Sequence, residues 1–418
     1  TVGVGIIDIL VFVTFVVLVI GIGLWKSRGE ETRGEHGAQD YFLAGRGLTW
    51  WLVGFSLIAA NISTEQFVGM SGNAASHVGL AIASYEWMAA ITLVIVAFAF
   101  LPYFLRTGIY TMPEFLEVRY DGTARTIMAV ATIFIYLLLL GSVTYSGALV
   151  ISTLAGKAGV SVSLATGSLI IGVIAMVYVT AGGLKAAVWA DLIQGSALIL
   201  GGTVIIWFAF QKLGMATEAA SVLSVETGAV SIQALSPDAG AVERFWDLNR
   251  PRMNMFLPAT DTVLPWTALM LGLWIPNFYY WGLNQYITQR TLGSASLAEG
   301  QKGIVFAAFM KLLIPFLIVV PGIIAFNLYS NDMRLEARGD TSGSMALYLD
   351  ANPETQFVEI AEAPSDAQTA AWPAGRYLLA IYPDAAAIEA LEAANPYVLP
   401  ITRSEFESTR AGEFTVFV

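Results

Sequence analysis

Residues 56–72 read SLIAANISTEQFVGMSG, and this stretch decides how the chain is interpreted. It belongs to an apolar run over 49–71, long enough to cross a bilayer, which needs about 20 mostly apolar residues. Yet residues 63–66 (Ser-Thr-Glu-Gln) are consecutive polar positions, so on a helix their side chains would point around most of its circumference. A helix interrupted in this way has irregular backbone, which at membrane depth is tolerated only where it lines a cavity or is buried in protein. The stretch therefore predicts a membrane-spanning helix that is broken at a site.

A second break is expected in the apolar run over 265–288. There Pro276 removes a backbone donor and frees a carbonyl, and Asn277, Asn284 and Gln285 bring polar side chains to the same run. Interrupted helices in corresponding places are the best sequence indication of a transporter binding site. The alternative is a pair of kinked helices that serve packing alone.

The composition agrees with a lipid environment. Hydrophobic residues make up 56% of the chain and charged residues 13%, whereas soluble domains carry roughly 25% charged residues. The absence of cysteine excludes disulfides and thiolate metal sites. The net charge of −11 arises mostly from residues 330–418, which hold 14 acidic and 5 basic residues. No basic face is left for nucleic acid, which excludes that class of partner.

The sequence predicts an all-α protein with several membrane spans. Strand-like alternation is absent, which argues against a transmembrane barrel, and basic residues follow the first run, which argues against a signal peptide. We expect a transporter core over 1–329 and a separate acidic segment over 330–418, with a strand at Tyr377–Tyr382 and a short helix at Asp384–Ala394. Because the chain begins at Thr1 and ends in a strand-like run, we expect further sequence after Val418. The eight predicted spans lie at roughly 6–25, 49–71, 80–105, 125–153, 165–181, 187–210, 265–288 and 303–328.

The short loops predict an orientation. Cytoplasmic loops are enriched in Lys and Arg, and the loops that share one predicted side carry nearly all of these residues. We therefore place the protein in the cell's inner (plasma) membrane, with the N-terminus, the loop 211–264 and the acidic segment outside. The basic residues of the predicted inner loops are Lys26, Arg28, Arg33, Arg46, Arg106, Arg119, Arg125, Lys185, Arg290 and Lys302.

Three charged residues, Glu86, Asp191 and Lys311, lie within apolar runs. A charge at the bilayer centre costs about 2.5–3.5 kcal/mol, which favours a functional role for Glu86. Lys311, about two turns into its predicted span, has snorkelling to the interface as an alternative. Asp191 lies near the end of its span, which on position alone favours a structural role. The aromatic residues around Glu86 and the second break suit an uncharged polar ligand such as a sugar, although interface belts also contain Trp and Tyr.

Several strings of this sequence resemble the sodium/solute symporter family, and most of all its bacterial sodium/galactose and glucose members. The resemblance covers residues 6–328 nearly continuously. It implies a LeuT-type fold, in which two inverted repeats of five helices follow one extra span, with three helices of the second repeat missing from this chain. The strings that carry it are DYFLAG (40–45), NISTEQFVGMSG (61–72), ASYEW (83–87), GIYTMPEF (108–115), WADLIQ (189–194) and NFYYWGLNQY (277–286).

The resemblance also implies roles for particular residues. Gln66, Glu86, Asn277 and Lys311 match the residues that hydrogen-bond the sugar. Tyr280 matches the inner gate, and Met70 and Tyr85 match the outer gate. Ala59 and Ile62 match positions whose carbonyls bind sodium, and Asp191 matches an aspartate near the sodium exit path. Two points differ: Ala89 stands where relatives can carry a sugar-binding serine, and the hydroxyl-bearing sodium ligands would lie beyond residue 418.

The expected function is sodium-coupled import of a neutral sugar by alternating access, with sodium, sugar and the bilayer as partners. Another small solute, such as inositol, sialic acid or a carboxylate, is an alternative, although Glu86 disfavours anions. Proton coupling and a transporter-like sensor are further alternatives. An enzyme is not expected, because no metal-ligand or nucleophile–base pattern is visible and both histidines, His36 and His77, fall in predicted loops.

Overall fold

A computed structural model describes residues 5–28, 37–222, 230–351, 365, 367–368, 371, 378–389 and 398–403. The chain divides into two compact units, Thr1–Leu328 and Tyr329–Val418. Of the residues named above, those outside the described part of the chain are Thr1, Arg33, His36, Tyr377, Ala394 and Val418. In chain order the α-helices are α1 (Ile6–Ser27), α2 (Gly37–Leu43), α3 (Trp50–Asn61), α4 (Ser71–Ala75), α5 (Ser84–Ile95), α6 (Leu101–Thr107), α7 (Met112–Arg119), α8 (Gly122–Lys157), α9 (Leu164–Met215), α10 (Ala241–Asn249), α11 (Trp274–Phe278), α12 (Gln285–Leu292), α13 (Leu297–Ala351) and α14 (Ala385–Glu389).

Short segments of other geometry connect several of these helices. The π-helical segments are Glu65–Met70, Val96–Phe100, Ala268–Gly272 and Tyr279–Leu283. The 3₁₀ turns are Ala44–Arg46, Gly79–Ala83 and Arg250–Met253. The strands are β1 (Glu218–Val222), β2 (Val230–Ala234), β3 (Leu378–Tyr382) and β4 (Val398–Thr402).

Among the described residues, five helical stretches are long and apolar enough to cross a membrane. They account for six of the eight predicted spans, because the fifth and sixth predicted spans form one helix, α9. The remaining two predicted spans are the broken ones, and both are divided into short helical segments. The five stretches are Ile7–Ser27, Gly79–Thr107, Gly122–Gly156, Leu164–Met215 and Leu297–Ser330.

The loop expected between the fifth and sixth spans is a kink within α9. Gly183 adopts φ 55° and ψ −155°, a backbone conformation that residues other than glycine rarely adopt. A Cβ at this position would lie 2.6 Å from the carbonyl oxygen of Tyr41. The expected loop is thus a sharp kink, at which two helical stretches meet inside the predicted gap between the fifth and sixth spans.

Helix α13 begins at Leu297, six residues before the predicted start at 303. Lys311 therefore lies about 21 Å along the helix axis, at 1.5 Å per residue, and its side chain is fully buried. The snorkelling alternative for Lys311 was wrong, because the side chain is buried inside the protein and paired with Glu86. Glycines allow α13 to approach the first broken span closely, since a Cβ at Gly322 would lie 2.4 Å from the carbonyl oxygen of Ser71. Small residues play this part at membrane helix interfaces.

Loops that were predicted to share a side meet at one end of the first unit. Arg46 donates to the carbonyl of Gly108 at 2.9 Å, and Met112 N–H donates to Gln285 Oε1 at 2.7 Å. At the other end, the segment after α10 packs on the end of α4, where Arg252 donates to the carbonyl of Ser76 at 2.7 Å. The loops that the Lys and Arg content assigned to the same side of the membrane are therefore in contact with one another.

The second unit contains a small α/β element in its described part. Strands β3 and β4 pair in parallel, with Leu378 opposite Val398 and Tyr382 opposite Thr402, and α14 lies between them in sequence. Ala380 and Tyr382 are buried in a small apolar cluster together with Val398. The predicted strand is confirmed over Leu378–Tyr382 and the predicted helix over Ala385–Glu389, one residue after its predicted start.

Candidate functional site

The first broken span ends its regular helix at Asn61. Ile62 is extended, with φ −82° and ψ 107°, and its N–H makes the last backbone bond of α3, to the carbonyl of Ile58 at 2.9 Å. The carbonyls of Ala59 and Ile62 accept no backbone N–H from the described residues, as is usual for the last turn of a helix. The carbonyl end of a helix carries partial negative charge, so these two oxygens suit a small cation.

A cavity of about 670 Å³ lies beside this break, within the usual range for small-molecule sites, about 300–1,000 Å³. Four of the predicted site residues, Gln66, Met70, Tyr85 and Tyr280, are part of its wall. Its lining comes from the first broken span, from α5 and the 3₁₀ turn before it, from α8, from the second broken span and from the loop that precedes it. The lining residues are Ala60, Asn61, Ser63, Glu65, Gln66, Gly69, Met70, Asn73, Ile82, Tyr85, Tyr136, Leu139, Leu140, Val143, Val263, Tyr280 and Tyr286.

Behind this wall, Glu86 and Lys311 form a buried ion pair. Lys311 Nζ lies 2.5 Å from Glu86 Oε2, and the two side chains are 0% and 3% exposed, respectively. Lys311 Nζ also donates to Asn61 Oδ1 and lies 5.2 Å from the centroid of the Trp281 ring. A buried charge requires such a partner, and the pair leaves this part of the site without net charge.

Gln66 connects the ion pair with the cavity. Its Nε2 donates to Glu86 Oε1 at 2.9 Å and lies 3.5 Å from Asn61 Oδ1. Its Oε1 is buried and has no hydrogen-bond partner among the described residues. More than nine in ten buried polar groups have one. Because Gln66 lines the cavity, a turn of its amide group would present this unpaired acceptor to a donor on a bound molecule, such as a hydroxyl.

The predicted inner gate, Tyr280, is held by hydrogen bonds from both broken spans. Its hydroxyl accepts from Asn61 Nδ2 at 3.1 Å and is bonded to the hydroxyl of Tyr286. The backbone N–H of Tyr286 in turn donates to the hydroxyl of Tyr136 at 2.9 Å, which donates to Asn284 Oδ1 at 2.8 Å. The orientation of Tyr280 is therefore fixed by helices α3, α8 and the second break together.

The other predicted residues are placed less directly. Asn277 is buried, but its Nδ2 donates to the carbonyl of Leu273 at 2.8 Å within its own segment, so the structure does not join it to Gln66 or the ion pair. Met70 is buried, whereas Tyr85 is 41% exposed; both lie on the cavity wall.

Asp191 is tied to both broken spans. Ser56 Oγ donates to its Oδ2 at 2.5 Å, and Arg290 Nη2 donates to the same oxygen at 2.9 Å. Asp191 and Arg290 side chains are each 11% exposed, so the pair is largely withdrawn from solvent.

Sequence reasoning named Asn61 only as part of the break, although it accepts from Lys311 and donates to Tyr280. A polar residue that opens a polar run in an apolar span is the signal that could have assigned it. Arg290 was read only as a basic loop residue, and a cation at the end of a span could have been matched with Asp191. Tyr136 gave no signal, because tyrosine is unremarkable in an apolar run.

The segment after α10 reaches the cavity through Val263. Its anchor is Asp261, whose Oδ1 accepts from the N–H groups of Val263 and Leu264 at 2.9 and 2.8 Å, while its Oδ2 lies 2.9 Å from His77 Nε2. Burial alone would raise the pKa of Asp261, but the two backbone donors and the His77 ring stabilise the carboxylate and together lower its pKa below the ordinary value.

The contacts of Asp261 predict how the stability of the segment around Val263 and Leu264 depends on pH. A lowered pKa adds stability that is complete above the ordinary aspartate pKa of about 3.9 and is lost only as the pH falls through the lower folded value. We expect amide hydrogen exchange, measured by mass spectrometry, to show protection of Val263 and Leu264 persisting from pH 8 to pH 5. Asp261→Ala should lower that protection about fivefold, from about 1 kcal/mol of lost hydrogen bonding. Asp261→Asn, which keeps an acceptor oxygen, should retain it; equal protection in all three proteins would contradict the assignment.

Two broken membrane helices around a polar cavity, with a compensated charge pair beside it, are an arrangement typical of secondary transporters built on discontinuous helices. The model of the sodium:solute symporter family matches residues 41–360, and the chain belongs to this family of membrane-embedded transporters.

Its relatives include named cotransporters. A sodium/glucose cotransporter of Vibrio parahaemolyticus is 45% identical over 345 residues, which are 82% of this chain and 59% of that protein. The uncharacterized symporter YidK of Escherichia coli K12 is 37% identical over 335 residues, 78% of this chain and 53% of that protein. Sodium/glucose cotransporter 2 of Rattus norvegicus is 35% identical over 332 residues, 78% and 48% of the two chains. The chain thus spans about half the length of the curated relatives that it matches.

A solved structure, that of a Na⁺-coupled sialic acid symporter in a substrate-bound outward-open state, superimposes with a TM-score of 0.64. The superposition covers 79% of this chain and 63% of the sialic acid symporter chain, at 20% sequence identity. This likeness confirms the LeuT-type fold that the sequence predicted.

Proposed function

We propose that the protein is a sodium-coupled symporter that imports a neutral sugar by alternating access. The observation that carries this proposal is the unpartnered, buried Oε1 of Gln66 in the cavity wall, next to a charge pair that is neutral as a whole. A hydroxyl-rich, uncharged solute supplies the donor that Gln66 lacks and brings no charge into the site. The sodium/glucose cotransporters among the relatives support the same substrate class.

Charge disfavours the anionic alternatives. Glu65 also lines the cavity, and Glu86 is already compensated by Lys311, so the wall has no cation left over for a carboxylate among the described residues. Bringing a like charge close to Glu65 in a partly buried cavity is unfavourable. A neutral sugar is therefore preferred over a sialic acid or another carboxylate.

Sodium is proposed as the coupling ion. The carbonyls of Ala59 and Ile62 at the end of α3 supply two oxygen ligands, as discontinuous transporter helices commonly do, and the family resemblance places hydroxyl ligands beyond residue 418. One charge crossing 100 mV releases about 2.3 kcal/mol. At about 1.4 kcal/mol per tenfold, that supports roughly a 50-fold sugar gradient before any sodium concentration difference is added.

The orientation is part of the proposal. The basic loops that meet through Arg46 and Gly108 are placed at the cytoplasmic face by their charge. The opposite end, which includes His77 and Asp261, then faces outward with the N-terminus. Transport needs no covalent chemistry, and in the described residues no group of three or more metal-ligating side chains is found.

The test is radiolabelled hexose uptake into proteoliposomes that contain the protein expressed from its complete gene, with and without an inward sodium gradient. We expect sodium-dependent accumulation in the wild type. Gln66→Ala should raise the sugar concentration for half-maximal uptake about tenfold, equivalent to about 1.4 kcal/mol, because the cavity loses a hydrogen-bonding side chain. Gln233→Ala, in the exposed strand β2, is the matched control and should transport normally.

Each other outcome identifies which part of the proposal fails. Uptake indifferent to sodium but dependent on a pH gradient would replace sodium with protons as the coupling ion. Uptake of inositol in place of hexoses would change the substrate and leave the site standing. Normal uptake by Gln66→Ala would remove Gln66 from the substrate site.

A further inference from the structure

A continuous series of polar contacts runs from Asp191 to the substrate site. Arg290 donates to Asp191 Oδ2 through Nη2 at 2.9 Å and Nε at 3.2 Å. Its third donor, Nη1, bonds the backbone carbonyl of Tyr286. The hydroxyl of Tyr286 is bonded to that of Tyr280, which accepts from Asn61 at 3.1 Å. Asn61 accepts from Lys311 of the buried ion pair.

Every member of this series is at least partly withdrawn from solvent. Asp191 is 8% exposed, and the Arg290 side chain is 11% exposed. Tyr280 and Tyr286 both border the cavity and pack edge to face, with ring centroids 5.8 Å apart. Electrostatic interactions at such sites are stronger than at an open surface, so a change at one end is not screened before it reaches the other.

Asp191 has one oxygen engaged and one available. All three hydrogen bonds to it, from Ser56 Oγ and from two nitrogens of Arg290, end on Oδ2. Across the described part of the chain, no donor reaches Oδ1. A cation that binds Oδ1 would compete with Arg290 for the negative charge of the carboxylate and weaken the ion pair.

We propose that Arg290 and Tyr286 are positioning residues that transmit cation occupancy at Asp191 to the inner gate Tyr280. The inference rests on the proposed sodium coupling and deepens it. When Asp191 holds only Arg290, the guanidinium fixes the Tyr286 carbonyl, and Tyr286 in turn holds the hydroxyl of Tyr280. When a cation shares the carboxylate, Arg290 is held less firmly, and the constraint on Tyr280 is relaxed. A ligand shifts a gate only through such a difference in interaction between two states.

The test measures how sodium alters access to the cavity. Residues 1–418 contain no cysteine, so Leu139→Cys places a single thiol of this segment on the cavity wall. Labelling with a water-soluble maleimide is followed over a range of sodium concentrations in the reconstituted protein expressed from its complete gene. Labelling of the protein without Leu139→Cys gives the background.

Three variants are compared in the Leu139→Cys protein. Tyr286→Phe removes only the bond to Tyr280, and Arg290→Lys keeps the charge but loses the three-way donor geometry. Because each variant weakens the state in which Tyr280 is held, we expect each to lower the sodium concentration for the half-maximal labelling change about tenfold. The double variant should shift this sodium concentration no further than the larger of the two single shifts, because the effects of residues that act through one another are not additive. Arg125→Lys, which alters the exposed Arg125–Glu117 pair, is the matched control.

The outcomes separate this inference from the proposed function. If the parent protein responds to sodium and both variants respond at the same concentration, or if their effects multiply in the double variant, the series through Arg290 is overturned while sodium coupling stands. If the parent protein shows no sodium response, sodium coupling fails and the inference fails with it. Should Arg290→Lys not fold, Asp191→Asn replaces it: this variant removes the proposed cation-binding carboxylate and should abolish the sodium response, and a response at the parental sodium concentration would overturn the inference.

Discussion

Lys311→Met is expected to destabilise the protein by about 3–5 kcal/mol, because it leaves the carboxylate of Glu86 buried without its partner. The pair is withdrawn from solvent almost completely, with side chains 0% and 3% exposed. Glu86→Gln should have a comparable effect through the uncompensated ammonium of Lys311. The change is measured as thermal unfolding of the detergent-solubilised protein, followed by the fluorescence of its 11 tryptophans.

The double variant Glu86→Gln/Lys311→Met should recover most of the lost stability, since replacing both partners of a buried pair is often close to neutral. Lys302→Met is the matched control on the same helix: its pair with Glu299 spans 3.8 Å and Lys302 is 65% exposed. Exposed pairs contribute about 0–1 kcal/mol, so the control should melt like the wild type. A Lys311→Met protein as stable as this control would show that the pair is not buried in the folded protein.

Gly322→Ala is expected to destabilise the protein by about 3 kcal/mol, at the upper end of the range for overpacking. The added Cβ would lie 2.4 Å from the carbonyl oxygen and 2.9 Å from the Cα of Ser71. Both are backbone atoms, so no side chain can rotate to make room, and α13 must move away from the first break. Because α13 carries Lys311, the variant should also weaken sugar binding.

Gly172→Ala provides the comparison for this prediction. It lies within α9, and a Cβ there meets no atom within 4 Å, so it should leave thermal unfolding unchanged or raise it slightly through helix propensity. If Gly322→Ala unfolds at the same temperature as Gly172→Ala, the close approach of α13 to Ser71 is not present in solution.

Much of the fold followed from the sequence because lipid imposes strict rules on it. The run 63–66 violates those rules, and the structure has a helix break beside it at Ile62. Pro276 was expected to break the second span, but it lies inside α11, and the chain leaves the helix at Asn284 instead. The charges of Glu86 and Lys311 could be recognised as costly in an apolar run. That they form one ion pair could not, since 224 residues separate them and no local pattern records the pairing.

The limits of sequence reasoning have particular causes. A loop was expected where Gly183 forms a kink, because the pair Gly182–Gly183 between two apolar runs does not distinguish a bend from a loop. The burial of Lys311 was not predicted because it depends on the packing of α13 against Glu86 and Trp281, which hydropathy along the chain does not record. The cavity contribution of Tyr136 depends on how α8 is rotated, which packing decides rather than periodicity.

The π-helical segments have a consequence for how the two predicted gates could turn. Met70 closes the segment Glu65–Met70, and Tyr280 lies within Tyr279–Leu283. A π turn accommodates one residue more than an α turn. Returning that residue to the α register would rotate the following side chains by about 100° around the helix axis, since each residue of an α-helix advances by that angle. A side chain on the cavity wall would thereby swing out of it, by an exchange of hydrogen-bond partners along the backbone and without unfolding the helix.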